Sequence, residues 1–338
     1  MKKKTVIVMT ALFFLMTGAC AGLSGGTAGR GTSVSTAASV SPITDITEAL
    51  NTSITISIYD STDKSLIVQC FDLIKKYEKM FSRTDKDSEI YALNEKGEAD
   101  VSDETLELIK TGLQYSKDTN GRFNIAIEPL TSLWNFSSES PKVPADADIK
   151  KALDHLDYTR IKIEGNHVTL PDKGSGIDLG AIAKGYIADK VKTFLLDKGV
   201  KSALINLGGN VLLVGSKPDG SDFAVGLQDP FGNRNEYKDV VKASDLSIVT
   251  SGTYERNFTE NGKTYHHILN PATGYPYDNG LAAVTIISGK SVEGDALSTS
   301  CFALGLEDGM KFAEEHGVQT LFVTTDGSYH YSKGYSYK

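Results

Sequence analysis

Three cysteines in 338 residues are too few for a disulfide framework, and no two of them stand at metal-site spacing. Cys70 in IVQCF and Cys301 in STSCFALG lie in apolar stretches, where cysteine serves as a small buried hydrophobe. Basic residues are outnumbered as well, 35 Lys and Arg against 43 Asp and Glu. A net charge of −8 argues on electrostatic grounds against nucleic acid as a partner. No G-x-G-x-x-G occurs, which excludes a Rossmann dinucleotide site, and the glycine-rich stretch IDLGAIAKG lacks the G-x-x-x-x-G-K-[ST] spacing of a Walker A loop. No internal repeat is visible, and strands and helices do not alternate in strict βαβ order.

What is present begins with a short address. Lys2, Lys3 and Lys4 precede an apolar run from Thr5 to Met16, and Thr17-Gly18-Ala19 supplies small residues before Cys20. The run is too short to span a bilayer. It reads as a signal peptide over residues 1–19, with Cys20 the lipidated first residue of a lipoprotein; a plain secretory signal is the alternative. Residues 20–44 are rich in Gly, Ser, Thr and Ala and nearly uncharged, the composition of a flexible tether. The expected placement is lipid-anchored on a bacterial membrane, facing the periplasm or the extracellular side, with a folded domain over 45–338.

That domain is long enough to bury a substantial core, and its 32 glycines point to tight turns and close backbone approaches. NTSITISIYD (51–60) alternates like a half-buried strand, while 66–81 and 103–121 have helical apolar spacing. Residues 121–136 are apolar but irregular, around Pro129 and the single tryptophan, Trp134. A short helix over 148–156 precedes a hairpin turning at Gly165-Asn166. Residues 176–200 read as a strand end passing into a helix, and 202–215 as one strand interrupted at Gly208-Gly209. Further strands are predicted at 223–230, 246–252, 264–271 and 281–289. Two helices broken at Gly305 and a closing hairpin follow. The fold class expected is α+β: a single two-lobed domain of mixed sheets and packed helices.

Three motifs carry chemistry. In GDALSTS, Asp295, Ser298 and Thr299 fall at i, i+3 and i+4 of a helix and share a face. A carboxylate with hydroxyls is a donor set that Mg²⁺ accepts; helix capping by Asp295 is the plainer alternative. In IDLGAIAKG, Asp178 and Lys184 crowd a helix start, where free N–H groups and the dipole favour an anion. Gly180 and Gly185 there equally suit close helix packing. In HHILNPATGYPYD, Pro271, Gly274 and Pro276 stiffen a loop that begins at two adjacent histidines. His266 and His267 point to opposite faces of an extended segment, so one is expected at the site and the other in solvent.

Taken in order, SRTDKDSEIYALN, FNIAIEPLTSLWNF, GIDLGAIAKGYIADKV, ALINLGGNV, TSGTYERNF, YHHILNPATGYP and GDALSTSCFALG resemble the ApbE-like flavin transferases, from about residue 46 to 330. The resemblance implies an FAD:protein FMN transferase that cleaves FAD, attaches FMN through its phosphate to a Ser or Thr of an acceptor protein, and releases AMP. It implies Mg²⁺ as cofactor, held by Asp295 and Thr299, the Ala181 carbonyl and nearby Ser298. It implies contacts to FAD from Leu50, Thr84, Phe123, Asn124, Ile125, Asp178, Lys184 and Ile268. His267 is the candidate base, a role Asp295 could share, and Lys184 the cation at the phosphates. The sequence departs from the family pattern in three places: Leu50-Asn51-Thr52 replaces Met-Gly-Thr, Thr84 an aromatic, and Asn124 an Asp. The implied partners are FAD, an exported or membrane redox protein as acceptor, and the membrane through the lipid. An FAD pyrophosphatase and a non-catalytic flavin-binding lipoprotein are the rival readings.

Overall fold

A computed structural model describes residues 41–233 and 236–337. The signal peptide and Cys20 lie outside the described residues, as does most of the tether. The first strand, β1 (Ile43–Ala49), starts two residues before the expected boundary and pairs with β2 (Thr52–Ile58). It escaped the sequence reading because ITDITEA is an edge strand with exposed polar positions and little alternation. The alternation in β2 does its expected work, since Ile54, Ile56 and Ile58 are all fully buried.

Next come α1 (Ser65–Phe81), α2 (Glu89–Lys96), β3 (Glu98–Asp100) and α3 (Asp103–Asp118). The irregular stretch resolves into a 3₁₀ turn and α4 (Glu128–Trp134), with Pro129 in the helix's first turn, where its missing N–H has no consequence. α5 (Asp146–Leu153), β4 (Lys162–Glu164) and β5 (His167–Thr169) follow, then α6 (Ala183–Asp197). The expected strand before α6 is not formed: residues 176–179 belong to no strand, and 180–182 form a turn leading into the helix.

The interrupted strand at 202–215 proves to be a hairpin. β6 (Ala203–Leu207) and β7 (Asn210–Val214) are joined by Gly208 and Gly209 at φ 63° and 92°, the left-handed pair a two-residue turn demands. Any side chain on Gly208 would strike Thr52, its Cβ falling 2.1 Å from Oγ1. The remaining elements are β8 (Phe223–Gln228), β9 (Tyr237–Ala243), β10 (Ser247–Gly252), β11 (Asn257–Glu260), β12 (Lys263–His266), β13 (Leu281–Ser288), α7 (Ser291–Leu304), α8 (Leu306–Glu315), β14 (Gln319–Thr324) and β15 (Tyr329–Tyr331).

Eight strands form one antiparallel sheet in the order β1-β2-β6-β7-β10-β13-β14-β15. Alternate residues of each strand feed opposite faces. Leu212 and Val214 join the core beneath α1 and α6, whereas Val211 and Leu213 pack under the β8–β9 hairpin. Val284, Ile286 and Phe322 pack against α7 and α8. A smaller lobe gathers α4, α5 and β11–β12 around an aromatic cluster of Trp134, Phe136, Phe258, Tyr265 and Tyr275. The architecture is a single α+β domain of mixed sheets and packed helices. Among the described residues, no helix is long and apolar enough to cross a membrane.

Candidate active site

The site is built on α7, which is buried on nearly every side and can sit that deeply only because two glycines remove side chains from its contacts. A Cβ on Gly294 would lie 2.7 Å from Val249 Cγ2 of β10, and one on Gly185 of α6 would lie 2.2 Å from the Ser291 carbonyl oxygen. The α6 and α7 backbones therefore touch, and Asp295 is trapped at the contact, 4% exposed. Its Oδ2 accepts from the Gly185 N–H at 2.5 Å and its Oδ1 from Asn210 Nδ2 at 2.9 Å. Asn210 is itself aimed, because its Oδ1 accepts from Ser291 Oγ at 2.7 Å. Asp189 of α6 caps α7, accepting from Ser291 N and Val292 N at 2.9 Å each. Asp295 thus has no capping duty.

On the same face, Ser298 Oγ donates to the Asp295 carbonyl at 3.0 Å and lies 2.9 Å from Ser251 Oγ, while Thr299 Oγ1 lies 3.1 Å from that same Ser251 hydroxyl. The i, i+3, i+4 arrangement read from the sequence is realised, with Ser251 of β10 as an added member. Burial raises the Asp295 carboxyl above its ordinary range, opposed by the Lys184 cation and the bonds from Asn210 and Gly185. A buried carboxylate beside hydroxyl oxygens is a hard donor set that fits Mg²⁺, with water and phosphate completing the shell. Among the described residues no three His, Cys, Asp or Glu side chains gather as a metal centre, so this face offers a single carboxylate. Ala181 lies half-buried in the loop just before α6.

Lys184 is in the first turn of α6, whose N-cap, Ile182, contributes no side-chain bond. Its charge acts on both Asp295 and His267, lowering the pKa of each. His267 follows the last residue of β12; the predicted strand through 271 stops here because the chain turns into the proline-bearing loop. Its main-chain N–H donates to the Arg256 carbonyl at 3.1 Å, and its ring Nδ1 lies 3.3 Å from the same oxygen. A carbonyl only accepts, so Nδ1 carries the proton and Nε2 is left bare. Burial, then the Arg256 cation, His266 and Lys184, lower its pKa to about 3. The imidazole is neutral at physiological pH.

His266 corrects the expectation that one of the pair faces solvent. It is buried, with Nε2 2.9 Å from the Tyr277 carbonyl and Nδ1 accepting from Ile268 N at 3.3 Å. The loop after it is braced throughout. Trp134 Nε1 donates to the Gly274 carbonyl at 2.7 Å, Leu269 bridges Pro276, and Gly274 adopts φ 76° against Ile149. Ile268 is buried in the core beside α7.

The other implied FAD contacts lie around α4 and the β1–β2 turn. Asp178 is heavily engaged: Oδ2 takes Arg83 Nε at 2.9 Å and Thr131 Oγ1 at 2.8 Å, and Oδ1 takes the Gly180 N–H at 2.8 Å. Thr84 is exposed beside Arg83. Phe123 and Ile125 are buried in the core, and the Asn124 amide is spent on the Leu156 carbonyl and the Ala126 N–H. Leu50 sits at φ 54° in the β1–β2 turn, where its N–H donates to Glu78 Oε1 at 2.7 Å. Sequence reasoning missed Asn210, Ser251, Arg256 and Arg83. None has a periodic signal, although Asn210 directly follows the Gly208-Gly209 pair.

A sequence model of the ApbE family matches residues 50–322. An FAD:protein FMN transferase of Klebsiella pneumoniae is 37% identical over 270 residues, covering 78% of this chain and 84% of that one. One from Treponema pallidum is 35% identical over 277 residues, covering 76% of each. Among solved structures, the ApbE protein of Thermotoga maritima superposes with a TM-score of 0.80 at 30% identity, over 86% of this chain and 97% of that one. The flavinyl transferase ApbE of Pseudomonas stutzeri does so with a TM-score of 0.76 at 28% identity, over 86% and 95%.

Proposed function

The chain belongs to the ApbE family and is an FAD:protein FMN transferase, and from that premise we propose how its residues carry out the transfer, with Mg²⁺ at the Asp295 face. The observation that carries this reading is the Asp295–Ser298–Thr299 face, pinned by the Gly185 N–H and Asn210 and acted on by the Lys184 charge. Asp295 and Thr299, with Ser298 and the Ala181 carbonyl, would hold the metal. When bound, Mg²⁺ supplies charge neutralisation at the pyrophosphate.

The chain's own groups do the rest. Lys184 and the α6 N-terminus stabilise negative charge on the phosphates. The bare Nε2 of His267 accepts the proton of the acceptor hydroxyl as its oxygen attacks the FMN phosphorus. The bond from that phosphorus to the bridging oxygen breaks, and AMP leaves carrying that oxygen and its charge. The pyrophosphate also raises the His267 pKa, because it sets negative charge among the cations that depress it. Leu50, Thr84 and Asp178 would line the FAD pocket, with Arg83 holding Asp178 in place, while the buried Phe123, Asn124, Ile125 and Ile268 would support its wall from behind.

The acceptor is a Ser or Thr of an exported or membrane redox protein. Cleavage before Cys20 and lipidation there would anchor the enzyme outside the cytoplasm, with residues 20–42 as the tether. The test is to incubate the full chain with FAD and Mg²⁺, then with EDTA, following AMP and FMN by chromatography. An acceptor protein that the Klebsiella relative flavinylates is included and weighed by mass spectrometry. Metal-dependent AMP release with covalent FMN on the acceptor is the expected result. AMP and free FMN without labelling would make the chain a pyrophosphatase, and intact FAD would reduce it to a flavin binder.

A further inference from the structure

The two adjacent histidines hold opposite tautomers. His267 donates from Nδ1 and keeps Nε2 bare, whereas His266 places Nε2 2.9 Å from the Tyr277 carbonyl, which only accepts, and so carries its proton on Nε2. His266 Nδ1 is then the unprotonated nitrogen, and it accepts the Ile268 N–H at 3.3 Å. One neutral ring thereby ties together the start and the end of the stiff loop. Those two strands of chain are also joined directly, by Tyr277 N to the Ile268 carbonyl at 3.0 Å. Arg256, whose carbonyl takes the His267 ring, lies just across the β11–β12 ribbon, next to the Asn257–His266 pair.

The same ring packs edge-on against Phe302, with centroids 5.9 Å apart and planes at 76°. Phe302 lies on α7 two turns beyond Asp295, so it shares the carboxylate's side of the helix. A second tie, Asn279 Nδ2 to the Phe302 carbonyl at 2.6 Å, holds the far end of the loop to the same turn. The base-bearing loop and the metal-face helix come from separate parts of the chain, and His266 is where they are registered against each other.

We propose that His266 is a positioning residue for the transfer: through its bonds to Tyr277 and Ile268 and its contact with Phe302, it aims His267 Nε2 at the space in front of Asp295. The proposal rests on the reading of His267 as the base. His266 itself is sealed from substrate and touches no reacting atom.

The experiment compares the full-length wild type with H266F, H266N, H266Q, H267Q and the double variant H266F/H267Q. Turnover is AMP release from FAD with Mg²⁺ and the acceptor of the Klebsiella relative; folding is checked by circular dichroism and Trp134 fluorescence. H266F keeps the ring against Phe302 and loses both hydrogen bonds. Its kcat should fall roughly 10- to 100-fold, the scale of an ångström-level misplacement of a catalytic group, while KM for FAD stays within about twofold. H266N can accept the Ile268 N–H as an Asx turn and should recover most of the loss. The double variant should be no slower than H267Q alone, since residues acting as a unit are non-additive. If H266F does not fold, H266Q, which keeps only the Tyr277 bond, takes its place under the same criteria. H266F, or H266Q where it stands in, at wild-type kcat with H267Q slow would overturn this proposal alone, as would losses that multiply in the double variant. H267Q at the wild-type rate would instead overturn the reading of the base.

Discussion

Replacing Asp295 by Asn removes the charge and keeps the shape, and the structure separates the consequences. Both carboxylate oxygens accept hydrogen bonds, one from Gly185 N and one from Asn210 Nδ2. An amide must therefore set its NH₂ against one of two donors. Asn210 is not free to turn and meet it, because its own oxygen is held by Ser291 Oγ at 2.7 Å. One buried donor is left unpaired, which costs about 1–3 kcal/mol. Opposing that, burial holds the carboxyl above its ordinary range in spite of Lys184. An acid whose pKa is raised on folding destabilises the native state at neutral pH, and the penalty lifts as pH falls through the folded value. Neutralising it removes that penalty, so the two effects oppose each other and the loss of stability is expected to be no larger than the ~1–3 kcal/mol of the unpaired donor alone. Turnover has no such compensation. At about 1.36 kcal/mol per tenfold in rate, the several kcal/mol that a metal-held charge contributes correspond to a fall of roughly 10²- to 10³-fold in kcat. The assay pairs AMP release from FAD and Mg²⁺ with thermal unfolding of the same preparation. Wild-type turnover in D295N would refute the metal-face reasoning, and a collapse in Tm would refute the cancellation.

Gly185→Ala places a methyl 2.2 Å from the Ser291 carbonyl oxygen and must part α6 from α7; calorimetry should show a loss of at least about 2–3 kcal/mol, with AMP release reduced, and an unchanged Tm would count against the close contact. His267 has its pKa lowered from 6.5 to about 3, chiefly by burial, so the unfolded chain takes up a proton there that the folded chain refuses as pH falls below 6.5. Wild type should lose stability relative to H267Q between pH 6.5 and about 3 and run parallel to it above pH ~7; a constant offset across the range would exclude the assignment. Trp134→Phe keeps an aromatic ring but loses the bond to the Gly274 carbonyl, and should lower stability by about 1 kcal/mol and slow turnover by loosening the loop. Equal Tm and equal kcat would show that the bond braces nothing. Gly208→Ala combines a left-handed φ of 63° with a collision on Thr52 Oγ1 and should destabilise by more than about 1 kcal/mol, measured by denaturant titration.

Much of this protein was settled locally. The face shared by Asp295, Ser298 and Thr299 follows from helical spacing alone, the buried trio Ile54, Ile56 and Ile58 from strand alternation, and the break at Gly305, φ 87°, from glycine's backbone freedom. The stiffness of the loop after His266 was written in its prolines and Gly274. Other features depended on partners far along the chain. Asp295 is held by residues 110 and 85 positions away, and no local period encodes such a pairing. The Gly208-Gly209 pair looked like a flaw in one strand because a bulge and a tight turn use the same left-handed glycine; only the antiparallel pairing of β6 with β7 made it a turn, and the turn delivered Asn210. The histidine pair shows the division most plainly. Alternation along an extended chain put the two rings on opposite sides, but it could not say what each side would meet. Packing decided that, setting α7 and Phe302 behind His266 and giving His267 Nδ1 the Arg256 carbonyl, which leaves its Nε2 bare.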